Sequence, residues 1–439
     1  MKNIQYSIEN IPKSRVAFVG SKDTYTYRAL CELREDNKKT LDFLSGTSVV
    51  INGRRRLEFA LLLSMLDGKV EQILFLPSDI DADLHEKYYK DAHVQYEVYL
   101  ENNRLKYTII TDIPSNKNTI STISKWIIPT SGTTNIPKLV SHTFESLTRT
   151  AKQNIALGEH YKWGLVFDIY RFSGIQVFLQ AMLAGSTLII TEPSQSMSQI
   201  LSLLAEKQCN ALSATPSFWR KVLMMKESND LPLERITLGG EISDKNILQA
   251  LRQKYPQAKI SHIYASTEVG VGFSVTDGKE GFPLSYLEKY NMKIDKDGVL
   301  WIVPSKKIQS YMSNEKMYDS EGYINTGDIV KVEKDRVYFL GRESGAINVG
   351  GNKVQPEEVE AILLSTNLLS SAYVYAMNNP MMGSLVCADV ILKNEDSDKK
   401  ESKAQILKYC REHLEGFKVP AIIKFVKEIN TTQSGKLKR

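Results

Sequence analysis

The sequence predicts an α/β fold with a large N-terminal domain, built on mostly parallel sheets covered by helices, and a small α+β C-terminal domain. Between about residues 120 and 275, short apolar runs typical of strands alternate with helical patterns, as in a parallel sheet covered by helices. After about residue 290, strands joined by turns give way to a mixed α+β order. We therefore place the N-terminal domain at residues 1–340 and the C-terminal domain at residues 341–439.

The first region contains four strand patterns, each typical of a buried strand, at residues 186–190, 209–215, 234–240 and 259–267. Helical patterns separate them, and Pro216 suits the first turn of the second helix. The polar segments LGGE and YASTE each stand at the end of such a strand, and PTSGTTNIPK follows the apolar run WII. Ligands bind beyond the carboxyl ends of parallel strands, so these three segments could meet in one crevice.

The second region contains two antiparallel strand patterns, DGVLWIV and DRVYFLGR. A helix follows at residues 356–365, with Pro356 in its first turn. Two more strands, SAYVYAM and SLVCADVIL, precede a helix, AQILKYCREHL, and a last strand, AIIKFV. The charged segment 394–402 is interpreted as a solvated connection between these elements.

The composition is that of an ordinary soluble globular protein, with 439 residues, 42% apolar and 24% charged. The net charge of +5 is spread along the chain and makes no case for nucleic acid. The cluster Arg54-Arg55-Arg56 is interpreted as a solvated loop, with a phosphate or carrier-protein contact as the alternative.

Nothing in the sequence indicates secretion, a membrane span or a cysteine-bound metal. The four cysteines have no CxxC spacing, as expected of reduced thiols in a cytosolic protein. The N-terminus has no apolar signal region, and the longest apolar stretch, 177–190, is interrupted and too short to span a bilayer. We therefore expect a cytoplasmic protein.

The segment PTSGTTNIPK (129–138) has the composition of a phosphate-binding loop. It offers the hydroxyls of Thr130, Ser131, Thr133 and Thr134, backbone amides around Gly132, and the ammonium of Lys138. Such donors can wrap the β- and γ-phosphates of a nucleotide. The spacing is not that of a Walker A loop, and a polar strand-to-helix turn remains the alternative at this point.

Four downstream motifs offer complementary chemistry. Tyr264 can stack on a base, Glu268 can hold Mg²⁺, and Asp328, expected exposed in a Thr-Gly-Asp turn, can accept both hydrogen bonds of a ribose diol. Residues 341–360 begin with Gly-Arg and contain paired glycines, and Lys436 lies near the chain end. Each also has a structural alternative: a turn-forming aspartate, a helix N-terminal charge or a frayed basic tail.

Together, the ordered segments TSGTTNIPK, GGE, YASTE, TGD, GRESGAINVGG and SGKLKR resemble the adenylate-forming (AMP-binding) superfamily. This superfamily includes acyl- and aryl-CoA synthetases, peptide-synthetase adenylation domains and luciferases. The resemblance runs from about residue 125 to the C-terminus. The part before it is short for the family, which implies a shortened first subdomain at about residues 1–120.

The resemblance implies a two-step reaction. A carboxylate attacks the α-phosphorus of ATP, giving an acyl-adenylate and pyrophosphate, and a pantetheine thiol then displaces AMP. The small domain would be mobile and rotate between the two steps.

The resemblance also implies roles for individual residues. Thr267 would bind the α-phosphate, Glu268 Mg²⁺, and Asp328 and Arg342 the ribose, while Lys436 would be the catalytic lysine between carboxylate and α-phosphate. Residues 130–134 and Lys138 would hold the pyrophosphate end, and Gly350 and Gly351 would approach the thiol channel. Gly240, Glu241 and Tyr264 would frame the adenine, and Ala265 and Ser266 would also belong to the nucleotide-binding residues.

The sequence departs from the family pattern at several positions. Asn135 replaces a glycine in the phosphate loop, Ser344 a hinge acid, Asn348 a lysine and Asn430 a proline. The histidine expected after the loop is Phe144, with His142 two residues earlier. None of these changes removes a core catalytic group.

The acid should bind beside residues 167–185. Aligned on Gly174, a family Phe-His pair becomes Tyr170-Arg171, so Arg171 could guide the carboxylate or recognise a polar tail, or be a surface residue. Phe172 stands where amino-acid-activating relatives carry an aspartate, which favours an aryl or a short to medium acyl acid.

The thiol would belong to coenzyme A, with the phosphopantetheine of an acyl or aryl carrier protein as the alternative. A degenerate nucleotide-binding scaffold is the non-enzyme alternative.

Overall fold

The computed structural model describes residues 3–52, 55–111, 123–130, 137–304, 310–312, 316–379, 383–394 and 396–429. Its helices, in chain order, are α1 (Ile4–Glu9), α2 (Tyr27–Asp36), α3 (Lys38–Phe43), α4 (Arg56–Leu66), α5 (His85–Asp91), α6 (Phe144–Thr148), α7 (Ile155–Gly158), α8 (Phe172–Ala184), α9 (Met197–Glu206), α10 (Pro216–Met224), α11 (Lys245–Lys254), α12 (Tyr286–Lys289), α13 (Pro356–Ser365) and α14 (Lys399–His413). Short 3-10 turns occur at Ala82–Leu84, Lys226–Asp230, Glu343–Gly345 and Gly416–Lys418.

The strands of the same residues fall into four sheets. In chain order they are β1 (Val16–Val19), β2 (Thr24–Thr26), β3 (Ser48–Ile51), β4 (Gln72–Phe75), β5 (Tyr96–Glu101), β6 (Arg104–Ile109), β7 (Lys125–Pro129), β8 (Leu139–His142), β9 (Lys162–Leu165), β10 (Thr187–Ile190), β11 (Ala211–Ala214), β12 (Arg235–Gly239), β13 (Lys259–Ser266), β14 (Gly270–Val275), β15 (Phe282–Pro283), β16 (Met292–Ile294), β17 (Val299–Ile302), β18 (Ser310–Tyr311), β19 (Ile324–Glu333), β20 (Arg336–Arg342), β21 (Ile347–Val349), β22 (Asn352–Val354), β23 (Leu369–Asn379), β24 (Gly383–Leu392) and β25 (Ile422–Phe425).

Two large sheets confirm the predicted α/β architecture. The eight-stranded sheet has the order β14-β13-β12-β11-β9-β10-β1-β2 and is parallel from β13 to β1. The seven-stranded sheet has the order β18-β8-β7-β4-β3-β5-β6 and is parallel from β7 to β5. Their central strands are short and apolar and are buried on both faces, as expected of parallel strands covered by helices.

Helices α4 and α8 pack between these two sheets. Both are buried over nearly their whole length, and one apolar core joins them to side chains of β1, β9 and β10 on one side and β3, β4 and β7 on the other. At Gly185 the backbone turns left-handed (φ 68°), a conformation that glycine adopts at little cost, and this ends α8 before β10. The carboxyl ends of both sheets can therefore contribute residues to one site.

The antiparallel part begins earlier than the sequence pattern suggested. Strand β14 already runs antiparallel to β13, and a five-stranded antiparallel sheet follows in the order β15-β20-β19-β17-β16. A last sheet, β22-β21-β24-β23 with β25 parallel to β24, packs with α13 and α14 around a core of its own. This α+β unit agrees with the predicted fold class, while the domain boundary at residue 341 stays a prediction.

Candidate functional site

The two ends of the predicted phosphate loop are joined by hydrogen bonds. The Thr130 N–H donates to the Lys138 carbonyl (2.8 Å), and the Lys138 N–H donates to Thr130 Oγ1 (3.1 Å). From helix α5, the Tyr88 hydroxyl donates to the Pro137 carbonyl (2.8 Å). Lys138 Nζ lies 5.1 Å from the centre of the Tyr311 ring. Ser131, Gly132, Thr133 and Thr134 lie outside the described residues.

Three motifs that are far apart in the sequence meet at Asp328. The Tyr264 hydroxyl donates to Asp328 Oδ2 (2.6 Å), and Arg342 Nε donates to Asp328 Oδ1 (3.0 Å). Arg342 also donates from Nη2 to the Thr326 carbonyl (2.9 Å). We call Tyr264, Asp328 and Arg342 the Asp328 triad. It brings together three of the residues that the sequence assigned to the nucleotide.

The backbone explains this arrangement and corrects one prediction. Asp328 lies within strand β19, with its side chain 17% exposed, and not in an exposed turn. It stands directly opposite Arg342 on β20, so pairing of the two strands places both side chains together. Gly327 just before it has φ 68°, and the register of the two strands shifts after Ile329. The Thr-Gly-Asp segment, which suggested a turn, is thus part of an irregular strand.

The Tyr264 ring is packed within an aromatic cluster. It stacks on Phe273 (centroids 5.2 Å apart) and on Phe339 (5.1 Å). The sequence assigned this ring to the adenine, and that role stays a prediction. In the structure, its clearest contribution is to fix the orientation of the Asp328 carboxylate.

Burial and charge keep Tyr264 and Arg342 each in one protonation state. Burial, together with the charge of Asp328, raises the pKa of Tyr264 well above 10, so its hydroxyl remains a donor. Burial by itself would lower the pKa of the Arg342 guanidinium. The negative charges of Asp328 and Glu268 outweigh this effect, so the pKa is raised. Glu268 is therefore close enough to act on the triad electrostatically.

The other residues assigned to the nucleotide lie at the carboxyl ends of β12 and β13. Gly240 has φ 82°, and Glu241 Oε2 accepts a hydrogen bond from the Ser217 N–H (2.9 Å) at the start of α10. After Tyr264 and Ala265, Ser266 Oγ accepts from the Val269 N–H (3.1 Å), which shapes the turn containing Thr267 and Glu268. Thr267 is buried. Both segments adjoin the same edge of the eight-stranded sheet.

Glu268 is the candidate Mg²⁺ ligand. Among the described residues, no group of three or more His, Cys, Asp or Glu side chains is arranged to hold a metal. The single carboxylate of Glu268 nevertheless fits Mg²⁺ at a nucleotide, because this ion is commonly held by one or two carboxylates together with the phosphates.

The predicted acid segment, residues 167–185, contains the turn before helix α8 and the helix itself. Arg171 precedes the helix and Phe172 opens it. A side chain at Gly174 would collide with the Asp168 backbone, so the close packing of this turn requires glycine. Arg171 itself is occupied: its Nη2 donates to Asp79 Oδ1 (2.6 Å), and its Nε lies 3.7 Å from Asp168 Oδ2.

His142 connects the acid segment to the phosphate-loop hairpin. It lies at the end of β8, fully buried, with its ring 5.9 Å from that of Phe172 and its Nδ1 3.4 Å from Ser146 Oγ. Burial lowers its pKa to about 4, against an opposing contribution from the backbone of Thr267. The ring is therefore neutral at physiological pH and touches elements of both predicted subsites.

Two predicted residues lie apart from this cluster, and one cannot be placed. Gly350 (φ 58°) and Gly351 (φ 89°) form the turn between β21 and β22, where the Gly351 N–H donates to Asn348 Oδ1 (2.9 Å). Lys436 lies outside the described residues, as does Asn430. The described structure thus brings Tyr264, Asp328 and Arg342 together, while the nucleotide and thiol roles of the assigned residues stay predictions.

Sequence reasoning missed Asp79, Phe273 and Phe339. None of them lies in a recognisable motif. Phe273 faces Tyr264 across the neighbouring strands β13 and β14, whereas Asp79 and Phe339 contact residues far away in the sequence. Among the helices that the structure describes, none is both long enough and apolar enough to cross a membrane.

Comparison with known proteins identifies the family. A family model for an AMP-binding enzyme matches residues 76–293, and one for the AMP-binding enzyme C-terminal domain matches residues 358–436. Together the two models cover more than half of the chain.

The relatives and structural neighbours are consistent with these matches. A 2-succinylbenzoate–CoA ligase from Bacillus licheniformis is 25% identical over 337 residues, covering 71% of this chain and 68% of that protein. A 2-succinylbenzoate–CoA ligase from Listeria innocua is 23% identical over 437 residues, covering 97% of this chain and 87% of that protein. The structure of the anthranilate CoA ligase AuaEII in complex with anthranoyl-AMP has a TM-score of 0.79 at 17% identity, covering 99% of this chain and 95% of that one. The chain belongs to the AMP-binding, adenylate-forming enzyme family.

Proposed function

We propose that this protein is an AMP-forming acid–thiol ligase that converts an aryl acid to an acyl-adenylate and transfers it to coenzyme A. The Asp328 triad is the observation that carries the proposal. A carboxylate fixed by a tyrosine hydroxyl and an arginine presents oxygens that can accept both hydrogen bonds of a ribose diol. The family matches and the CoA-ligase relatives support the same reaction.

Each group has a defined task in the first step. Asp328 orients the ribose, and Thr267 with the phosphate-loop donors holds the phosphates in line with the incoming carboxylate. Mg²⁺, held by Glu268 and the phosphates, would neutralise phosphate charge. Lys436 then stabilises the charge that moves from carboxylate to pyrophosphate, as preorganised donors do in such reactions. The acid is thus activated as its adenylate before the thiol attacks.

The acid segment favours an acid without an α-ammonium group. Asp168, the one carboxylate in the acid segment, is buried beside Arg171, and its Oδ1 accepts a hydrogen bond from the Tyr170 N–H (3.1 Å). Its Oδ2 accepts no hydrogen bond among the described residues but faces the Arg171 guanidinium, and this positive charge disfavours an ammonium group of the substrate there. Phe172 and the neutral His142 beside it suit an aromatic ring. Aryl acids are the first substrates to test, and short to medium acyl acids the second.

The thiol acceptor is proposed to be coenzyme A, because the curated relatives are CoA ligases. The alternative acceptor is the phosphopantetheine of a carrier protein, which presents the same thiol. Comparing thioester formation with free CoA and with aryl carrier proteins distinguishes the two. If the acyl group is transferred faster to a carrier protein than to CoA, the carrier is the acceptor, and the proposed adenylation step is unchanged.

The decisive experiment is acid-dependent exchange of pyrophosphate into ATP across aryl, short acyl, fatty and amino acids. We expect exchange with aryl acids, production of AMP and not ADP, and a loss on the order of 10²–10³-fold in Lys436→Ala. Lys427→Ala, in the last described stretch of the chain, is the control and should exchange normally. Absence of exchange with every acid would favour a nucleotide-binding scaffold, and full activity in Lys436→Ala would refute the catalytic assignment.

A further inference from the structure

We propose that Arg171 is a positioning residue that determines how the acid is bound: through an ion pair with Asp79 it holds the acid segment in place. We call this pair the Arg171–Asp79 bridge. The inference rests on the proposed function, because it takes Phe172 as a wall of the acid site. It assigns Arg171 an indirect role, in contrast to direct contact with the substrate carboxylate.

The geometry of the bridge is that of a strong, partly desolvated ion pair. Arg171 Nη2 lies 2.6 Å from Asp79 Oδ1, and the two side chains are 14% and 35% exposed. The buried carboxylate of Asp168 lies on the other side of the guanidinium, 3.7 Å from Nε. With carboxylates at two of its nitrogens, Arg171 is poorly placed to bind a third one from the substrate.

The bridge joins the two large sheets. Asp79 follows β4 of the seven-stranded sheet, and Arg171 follows β9 of the eight-stranded sheet. Asp168 extends the connection, because it interacts electrostatically with Arg56. Arg56 in turn donates from Nη1 to the carbonyl of Thr191 (3.0 Å), the residue that follows β10. Among the described residues, no backbone hydrogen bond joins the segment after β4 to the segment after β9, so the pair is a direct polar link between them.

Phe172 transmits this constraint to the site. It is the residue next to Arg171, it opens α8, and its ring packs against His142 on the strand that leaves the phosphate loop. The segment is thus held at Arg171 by the bridge and at Phe172 by the contact with His142. Loss of the bridge should shift Phe172, and a small displacement of a substrate-positioning group can have a large effect on reaction geometry.

A double-mutant cycle tests the proposal by pyrophosphate exchange with the best aryl acid. We expect Asp79→Ala and Arg171→Ala each to raise the KM for the acid about tenfold, with kcat and the KM for ATP within about threefold of wild type. The double variant should be no worse than the poorer single variant, because both changes remove one interaction. Arg171→Lys, which keeps the charge, should recover part of the loss.

Asp277→Ala is the matched control. Asp277 Oδ2 lies 2.7 Å from Arg336 Nη1, and the arginine and aspartate are 9% and 37% exposed, close to the values of the bridge. Arg336 opens strand β20, and the described hydrogen bonds of its side chain go to residues 277–281 and not to the acid segment. The control should match Asp79→Ala in its effect on thermal stability and leave the KM for the acid unchanged.

Three results would overturn the proposal. If Arg171→Ala raises the KM while Asp79→Ala leaves or lowers it, Arg171 contacts the substrate directly. If both variants lower thermal stability as the control does, with the KM unchanged, the bridge is only structural. If wild-type protein shows no exchange with any acid, the proposed function fails and the inference fails with it.

Discussion

Two arginine–aspartate pairs, Asp328–Arg342 and Asp79–Arg171, form in different ways. Asp328 and Arg342 are 14 residues apart, face each other across neighbouring antiparallel strands, and are 3.0 Å apart at their closest described atoms. Asp79 and Arg171 are 92 residues apart, follow strands of different sheets, and are 2.6 Å apart. Strand register produces the first pair, while the packing of two sheets around shared helices produces the second.

This difference indicates what each pair can do. The Asp328 carboxylate keeps accepting capacity beyond its bonds to Tyr264 and Arg342, since each of its oxygens has two lone pairs. Arg171, held by Asp79 and Asp168, has its charge balanced within the protein. A pair built by register can thus present a group to a ligand, whereas the long-range pair mainly fixes the position of a segment.

The largest expected effect follows from removing the carboxylate at the centre of the triad. In Asp328→Ala, both the ribose contact and the anchor for Arg342 and Tyr264 are lost, and we expect kcat/KM for ATP to fall on the order of 10²–10³-fold. Steady-state exchange kinetics with varied ATP measures it. A change confined to the KM for the acid would contradict the division of roles between the two pairs.

The second prediction concerns His142, whose ring lies 5.9 Å from that of Phe172. Its folded-state pKa of about 4 lies below the ordinary 6.5, so the unfolded chain binds the proton more readily. Its stabilising contribution is therefore complete above about pH 6.5 and is lost as the pH falls towards 4, with a limit on the order of 3 kcal/mol.

His142→Gln removes this titration while keeping a polar side chain. We expect its free energy of unfolding, measured in urea, to fall less than that of wild type between pH 7 and pH 4.5. Comparing the pH dependence of the two proteins cancels the contributions of other titrating groups. Asp67 is one of them, because burial raises its pKa to about 6. Parallel curves for the two proteins would show that the ring is not kept neutral by its surroundings.

The smallest effect is expected at the third member of the triad. Tyr264→Phe keeps the stacking on Phe273 and Phe339 but deletes the 2.6 Å hydrogen bond to Asp328. Because that bond involves a charged acceptor, kcat/KM for ATP should fall about tenfold. An unchanged value would mean that Arg342 alone orients the carboxylate. A collapse to the level of Asp328→Ala would instead favour a direct contact of the hydroxyl with the nucleotide.

Much of the fold was predictable because its signals are local. The alternation of short apolar runs with helical patterns predicted β10 to β13 with α9 to α11, and Pro216 and Pro356 each open the helix that the sequence indicated. Strand β14 was missed, because GVGFSV contains two glycines and directly follows the YASTE motif. The position of Asp328 was misjudged for a related reason: Thr-Gly-Asp has turn-forming chemistry, but partners on both sides keep it in a strand.

The sequence by itself determined the order of the motifs, which was enough to indicate the family, and the alternation of strand and helix patterns, which indicated the α/β architecture. The groups that would meet a nucleotide stay predictions. Only the tertiary structure decided that Tyr264 serves Asp328 within an aromatic cluster and that Arg171 is paired with Asp79. The physical reason is range. Periodicity, turn chemistry and strand register act between neighbours in sequence or in a hairpin, whereas these contacts arise when separate strands and sheets close around one core.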